Sequence, residues 1–83
     1  MTVRIDYKRS VFNDLKNIDR PVAERIIHEI ESGLAKNPKT GEALTGQFKG
    51  LYKYRVGNGR VIYTILSDRI LILRIGHRSV VYH

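Results

Sequence analysis

Tyr52-Lys53-Tyr54-Arg55-Val56-Gly57-Asn58-Gly59-Arg60-Val61-Ile62-Tyr63-Thr64-Ile65-Leu66 is the stretch whose reading decides the fold. Two runs rich in β-branched and aromatic residues flank Asn58-Gly59. That dipeptide suits a type I′ turn, which needs positive φ at both central residues. The pattern predicts a hairpin with strands over Tyr52–Val56 and Arg60–Leu66. In the register of an Asn58-Gly59 turn, Gly57 faces Arg60, Val56 faces Val61, Arg55 faces Ile62, Tyr54 faces Tyr63 and Lys53 faces Thr64. Opposed residues share a face and successive residues alternate. Lys53, Arg55 and Arg60 therefore project from one face. Tyr52, Tyr54, Val56, Val61, Tyr63 and Ile65 project from the other, and are suited to packing under helices.

C-terminal to the hairpin, Ser67-Asp68 makes a second tight connection into a strand over Ile70–Ile75. The run Ile70-Leu71-Ile72-Leu73 is apolar on both faces, which suits an interior strand. Arg74, Gly76 and Arg78 share parity. A loop that includes Arg69 puts them on the face of Arg60, and a two-residue loop does not; the sequence leaves both open. His77, Arg78, Tyr82 and His83 lie in the short tail. N-terminal to the hairpin, Lys39–Gly50 reads as a glycine-containing loop, pinned to the core by Leu44, Phe48 and Leu51. Before it, Val22, Ala23, Ile26, Ile27, Ile30 and Leu34 form the apolar stripe of a helix. Asp19 is its predicted cap, with Pro21 in the first turn, and Pro38 bars its continuation. Val11, Phe12, Leu15 and Ile18 predict a shorter helix capped by Ser10. Val3, Ile5 and Tyr7 alternate with polar residues as in a strand. The order is β-α-α-β-β-β. That predicts an α+β fold, a mainly antiparallel sheet with a helical hairpin packed on one face.

The chain has 83 residues, of which 42% are hydrophobic, so residues 1–83 are expected to form a single domain. It contains no cysteine, hence no disulfide framework and no thiolate metal site. The natural compartment is then a reducing one, and a cytoplasmic location is expected. The first residues lack the apolar core of a signal peptide, and no apolar run is long enough to span a bilayer, so no membrane partner is expected. Net charge is +7, with pI near 10.1. The excess is one-sided: from residue 49 onward Lys49, Lys53, Arg55, Arg60, Arg69, Arg74 and Arg78 stand against Asp68 alone. Such asymmetry points to an anionic partner.

Clustered cations repel, so Lys53, Arg55 and Arg60 on one face gain the fold nothing without an anion. There is no His/Glu pair at metal spacing, no nucleophilic cysteine and no phosphate-binding glycine motif, and no cofactor is expected. The acids are concentrated in the N-terminal half, on predicted helices and loops, so paired-carboxylate catalysis is not expected. What remains is a patch of Lys, Arg, Tyr and His. RNA carries its own nucleophile, the 2′-OH. A basic patch can orient that hydroxyl, neutralise the phosphate and protonate the leaving 5′-oxygen. DNA lacks the hydroxyl and cannot be cut this way. The tyrosines Tyr52, Tyr54 and Tyr63 read most simply as sheet packing. Lys8, Arg9, Lys36 and Lys39 read as solvated surface or nucleic-acid contacts rather than catalytic groups.

Asn37-Pro38, Leu44-Thr45-Gly46, Gly50-Leu51-Tyr52-Lys53-Tyr54-Arg55-Val56-Gly57, Arg60-Val61-Ile62-Tyr63, and Ile75-Gly76-His77-Arg78 followed by Val81-Tyr82 together resemble the RelE/ParE toxin superfamily. The resemblance is strongest from Leu44 to Tyr82, and its order of elements matches the one above. The resemblance implies metal-free, ribosome-dependent cleavage of mRNA in the A site by 2′-OH attack, with inhibition of translation. By motif match the phosphate-binding and proton-transfer roles fall on Lys53, Arg55, Arg60 and Arg78. Tyr82 falls on the C-terminal aromatic that stacks on or orients the base. The implied partners are a cognate antitoxin, the ribosome and mRNA, with operator DNA bound only through the antitoxin complex. The RelE pattern tends to carry lysine where this chain has Arg55, and a guanidinium is a poor general base. The stretch from Arg78 to Tyr82 is also shorter than in the archetypal RelE. His77 and His83 are further candidate proton donors or acceptors. Two rival readings stand beside this one: a ParE-like toxin of the same fold that inhibits DNA gyrase, and an inactive module that only holds antitoxin or RNA.

Overall fold

The hairpin forms where expected, but its turn sits one residue earlier. In the computed structural model, which describes residues 3–77, strand β3 (Leu51–Val56) and strand β4 (Gly59–Ile65) pair with Val56 opposite Gly59. The turn is Gly57-Asn58, and only Gly57 has positive φ, at 57°. Positive φ at the first central residue alone is the II′ pattern rather than I′. Gly59 serves a different purpose. A Cβ there would lie 2.8 Å from Ile26 Cδ1 and 3.0 Å from the Val56 carbonyl oxygen. The second glycine thus lets a helix approach the strand, and that tertiary contact draws it out of the turn. Every β4 residue consequently moves two places along β3. Arg60 faces Arg55 rather than Gly57, and Tyr63 faces Tyr52. A two-place move keeps every side chain on its predicted face.

The remaining strands are β1 (Arg4–Tyr7), β2 (Glu42–Ala43) and β5 (Arg69–His77). The sheet order is β1-β5-β4-β3-β2. β1 runs parallel to β5 and the other pairs are antiparallel. β5 is thus the interior strand its apolar run predicts. β2, inside the predicted loop, is too short to show a period in sequence.

The connection into β5 is the two-residue one: Leu66 N–H donates to the Arg69 carbonyl at 2.8 Å. An unbroken strand would then carry Arg74 into the core. It does not, because the β4–β5 register slips between Ile62 and Tyr63: Tyr63 faces Ile72, whereas Ile62 faces Arg74. Leu73 is the extra residue of a β-bulge. Ile70, Ile72 and Ile75 are consequently all fully buried. Arg74 and Gly76 turn to the face of Arg60.

Helix α1 (Arg9–Lys16) and helix α2 (Arg20–Glu29) cover the other face. α2 continues into a π turn over Ile30–Leu34. Ile26, Ile30 and Leu34 from this segment, with Val11 and Ile18 from and just after α1, meet Val56, Val61, Tyr63, Ile70, Ile72 and Ile75 of the sheet. Among the described residues no helix is long and apolar enough to cross a membrane.

Four local expectations need correction. Ser10 is not the cap of α1. Lys8 holds that position, and Ser10 Oγ instead donates to the Leu73 carbonyl at 2.8 Å. Phe12 is not in the buried stripe. It is 55% exposed, and Asp14 takes the inward position instead. Phe48 does not pin the loop, being 51% exposed. The loop is held by the buried Tyr63, whose hydroxyl donates to the Pro38 carbonyl at 2.7 Å and accepts from Gly41 N–H at 3.0 Å. A Cβ on Gly41 would collide with that hydroxyl. Asp19 is the residue before α2, but its side chain makes no capping hydrogen bond.

Candidate nucleic-acid interface

The helix-free face of the sheet carries the cations in two rows, because paired residues share a face. In one row Glu42, Lys53, Ile62 and Arg74 stand side by side across β2, β3, β4 and β5. In the next, Arg55, Arg60 and Gly76 do so across β3, β4 and β5. Arg55 and Arg60 are direct cross-strand partners and both are exposed. Neither makes a hydrogen bond or ion pair with another described residue. Two like charges so placed repel by on the order of 0.7 kcal/mol at ~6 Å in water. An anion between them reverses the sign.

The other cations on this face are treated differently. Lys53 Nζ lies 3.9 Å from Glu42 Oε2, a loose surface pair. Toward the β1 edge, Arg4 pairs with Asp6 at 3.2 Å and Arg69 pairs with Asp68 at 3.3 Å. Arg69 Nε also sits 3.0 Å from Asp6 Oδ2, close but not aligned for a hydrogen bond. One end of the face is therefore internally neutralised. The end next to the Gly57-Asn58 turn is not.

Arg74, which the sequence left undecided, is brought to this face by the bulge. Its Nε and Nη2 each donate to the Asp14 carboxylate at 2.9 Å. Of the predicted site residues, the structure thus brings together Lys53, Arg55 and Arg60. Arg78 and Tyr82, like His83, lie outside the described residues. His77 faces Gly59, which places it on the helix-covered side of the sheet rather than beside Arg60. Arg74 is the residue sequence reasoning missed. The signal was its parity with Gly76 and Arg78, but without the bulge that parity points the wrong way. Among the described residues no three His, Cys, Asp or Glu side chains converge as a metal site would require.

Comparison with known proteins places this arrangement. Residues 5–82 match the family described as "ParE toxin of type II toxin-antitoxin system, parDE". No curated protein sequence matches at a significant level. Among solved structures, the RelBE2 toxin–antitoxin complex of Mycobacterium tuberculosis contains a chain that superposes with a TM-score of 0.90 at 20% identity, over 96% of this chain and 95% of that one. The archaeal RelE–RelB complex of Pyrococcus horikoshii matches with a TM-score of 0.71 at 26% identity, covering 98% and 100%. A free, doubly substituted RelE toxin of E. coli matches with a TM-score of 0.75 at 12% identity, covering 93% and 84%.

Proposed function

The chain belongs to the ParE toxin family of type II toxin–antitoxin systems, within the RelE/ParE superfamily, and from that premise we propose that it is a ribosome-dependent endoribonuclease that cleaves mRNA. The observation that carries the reading is the unpaired Arg55–Arg60 couple on the open face. It is a ready clamp for a phosphodiester whose non-bridging oxygens gain charge in the transition state. Lys53, in the adjacent row, adds a third cation.

The reaction is an internal transesterification. The ribose 2′-oxygen forms a bond to phosphorus as the bond to the 5′-oxygen breaks, leaving a 2′,3′-cyclic phosphate and a 5′-hydroxyl. The 2′ proton passes to a base and a proton reaches the departing oxygen. Arg55 and Arg60 hold the phosphate and Lys53 is available for proton movement; motif match assigns the leaving-oxygen role to Arg78 and the base-stacking role to Tyr82. In this reading the ribosome holds the mRNA in line for attack, which is why cleavage depends on it. A cognate antitoxin that covers the basic face would silence it. The solved complexes from M. tuberculosis and P. horikoshii pair each toxin with an antitoxin.

The test is a reconstituted translation reaction with mRNA 5′ ends mapped by primer extension, comparing the chain with its Arg60→Ala, Arg78→Ala double variant. New ends inside codons, present only with ribosomes and lost in the variant, are expected. Cleavage that persists in the variant would sink the site assignment. The family's ParE name favours a second reading, inhibition of DNA gyrase through protein contacts. No cleavage, together with lost supercoiling activity in a gyrase assay, would establish that one instead.

A further inference from the structure

β5 is longer than β1, which pairs only with Arg69–Ile72. Beyond Ile72 the edge of β5 would be bare, and α1 takes the place of the missing strand. Lys8 N–H donates to the Ile72 carbonyl at 2.9 Å, Ser10 Oγ donates to the Leu73 carbonyl, and Asp14 Oδ2 accepts from Ile75 N–H at 2.9 Å. Asp14 is the only charged residue buried in the core among the described residues, at 7% exposure.

Capping one N–H does not require a charge. An asparagine carbonyl would accept from Ile75 equally well, without the cost of moving a carboxylate out of water. The carboxylate has a second use in its bidentate fork with Arg74. Fork pairing fixes a guanidinium in direction as well as distance. The Arg74 side chain stays 54% exposed while its anchor is almost wholly buried. In register, Arg74 is the diagonal neighbour of Arg60, since Arg60 faces Gly76 and Ile62 faces Arg74. Diagonal neighbours stand roughly 7–8 Å apart at the backbone, within reach of two long side chains. Gly76, between them along β5, presents no side chain to fill the space.

We propose that Arg74 is a further RNA-phosphate ligand of the open face and that Asp14 is its positioning residue, setting Arg74 beside Arg60 before RNA arrives. This rests on the reading of that face as an RNA surface. The ligand is the phosphodiester backbone of single-stranded RNA, recognised by charge and direction rather than by base.

The probe is a short fluorescein-labelled single-stranded RNA without ribosomes, titrated by anisotropy at several salt concentrations. Each phosphate contact on a single strand contributes about 0.7 to the slope of log affinity against log salt. Arg55→Gln and Arg74→Gln are each expected to reduce the slope by about 0.7. Asp14→Asn is the discriminating variant. It raises net charge, so charge alone predicts tighter binding, whereas loss of positioning predicts binding weaker by roughly 3- to 10-fold, the worth of about one hydrogen bond. In the Arg74→Gln background, Asp14→Asn is expected to change affinity no further.

If Arg55→Gln lowers the slope and Arg74→Gln does not, or if Asp14→Asn tightens binding, this proposal fails and the RNA reading stands. If neither arginine alters the slope, the RNA reading of the face fails with it. Binding of an acidic peptide of equal charge with the same Arg74 dependence, and no binding of RNA, would assign the face to a protein partner and overturn the proposal. Should Asp14→Asn fail to fold, Arg74→Lys serves. It keeps the cation but cannot form the fork, so the slope is expected to hold while affinity falls; unchanged affinity would remove the positioning role.

Discussion

The two faces of the sheet obey opposite rules. Under the helices, Val61, Tyr63, Ile70, Ile72 and Ile75 are fully buried, and Asp14, the one buried charge among the described residues, accepts three hydrogen bonds. On the open face, Arg55 stands opposite Arg60 with no counter-charge among the described residues, although Asp6, Glu42 and Asp68 neutralise other cations of the same surface. The first face is arranged to minimise its own free energy. The second keeps a local repulsion that only a bound anion relieves. A face that leaves its charges unmatched at one end, while matching them at the other, is read from that end when function is sought.

The sharpest way to break this comparison is to damage the packed face. Ile26→Ala removes the side chain that presses on Gly59. It is expected to cost about 2–5 kcal/mol in a urea denaturation experiment, through lost burial and the cavity left behind. A cost below about 1 kcal/mol would mean that this contact does not set the packing.

A smaller effect is expected at the Tyr63 hydroxyl. Tyr63→Phe keeps the ring stacked on Tyr52, centroids 5.3 Å apart. It leaves Gly41 N–H and the Pro38 carbonyl without their partner, for about 1–3 kcal/mol. The same hydroxyl gives a pH signature. Burial pushes the Tyr63 phenol up, against the opposing effect of the Gly41 N–H. Tyr7 is pushed up as well, by burial and then by the Glu31 carboxylate it donates to. A raised folded-state value means the folded form favours the proton. The contribution is therefore complete below the ordinary phenol value of 10.0 and is lost as pH rises above it. Thermal melts across that range should show stability falling at alkaline pH, less steeply in Tyr63→Phe. An alkaline limb identical in the variant would assign the effect to Tyr7 alone.

The smallest effect is the one that separates the faces most cleanly. Arg55→Thr removes half of the opposed pair and is expected to raise stability by a few tenths to about 1 kcal/mol, while weakening RNA binding and lowering its salt slope by about 0.7. A loss of stability in this variant would show that Arg55 belongs to the framework. Function and stability would then not be divided between the faces as described.

Much of this was legible in residues alone. Alternation in Tyr52–Val56 and Arg60–Ile65 placed Lys53, Arg55 and Arg60 on one face because a side-chain period of two is a property of the extended chain. The two-place register shift left that result untouched. The stripe Ile26, Ile30 and Leu34 announced its helix for the same kind of reason. The errors are equally specific. Helical spacing alone turns Phe12 inward and passes over Asp14, because an aromatic is the commoner core residue and a carboxylate the rarer one. Only the bare edge of β5 makes the carboxylate the better occupant. Phe48 is the expected anchor of the loop, but the Tyr63 hydroxyl, 22 residues beyond Gly41 and 25 beyond Pro38, holds it instead.

Residue order by itself determined the order of the helices and the longer strands, the segregation of charge to the second half of the chain and the face on which three of the cations lie. These are local consequences of backbone periodicity and side-chain chemistry. Tertiary structure alone decided that Asn58-Gly59 would not be the turn, that Leu73 would bulge, and that Arg74 would reach the open face rather than the core. Each depends on a contact between segments far apart in the chain, Ile26 on Gly59 and α1 on the edge of β5. The energy of such contacts exceeds the preference of a two-residue turn or the regularity of one strand, so no local reading could have foreseen them.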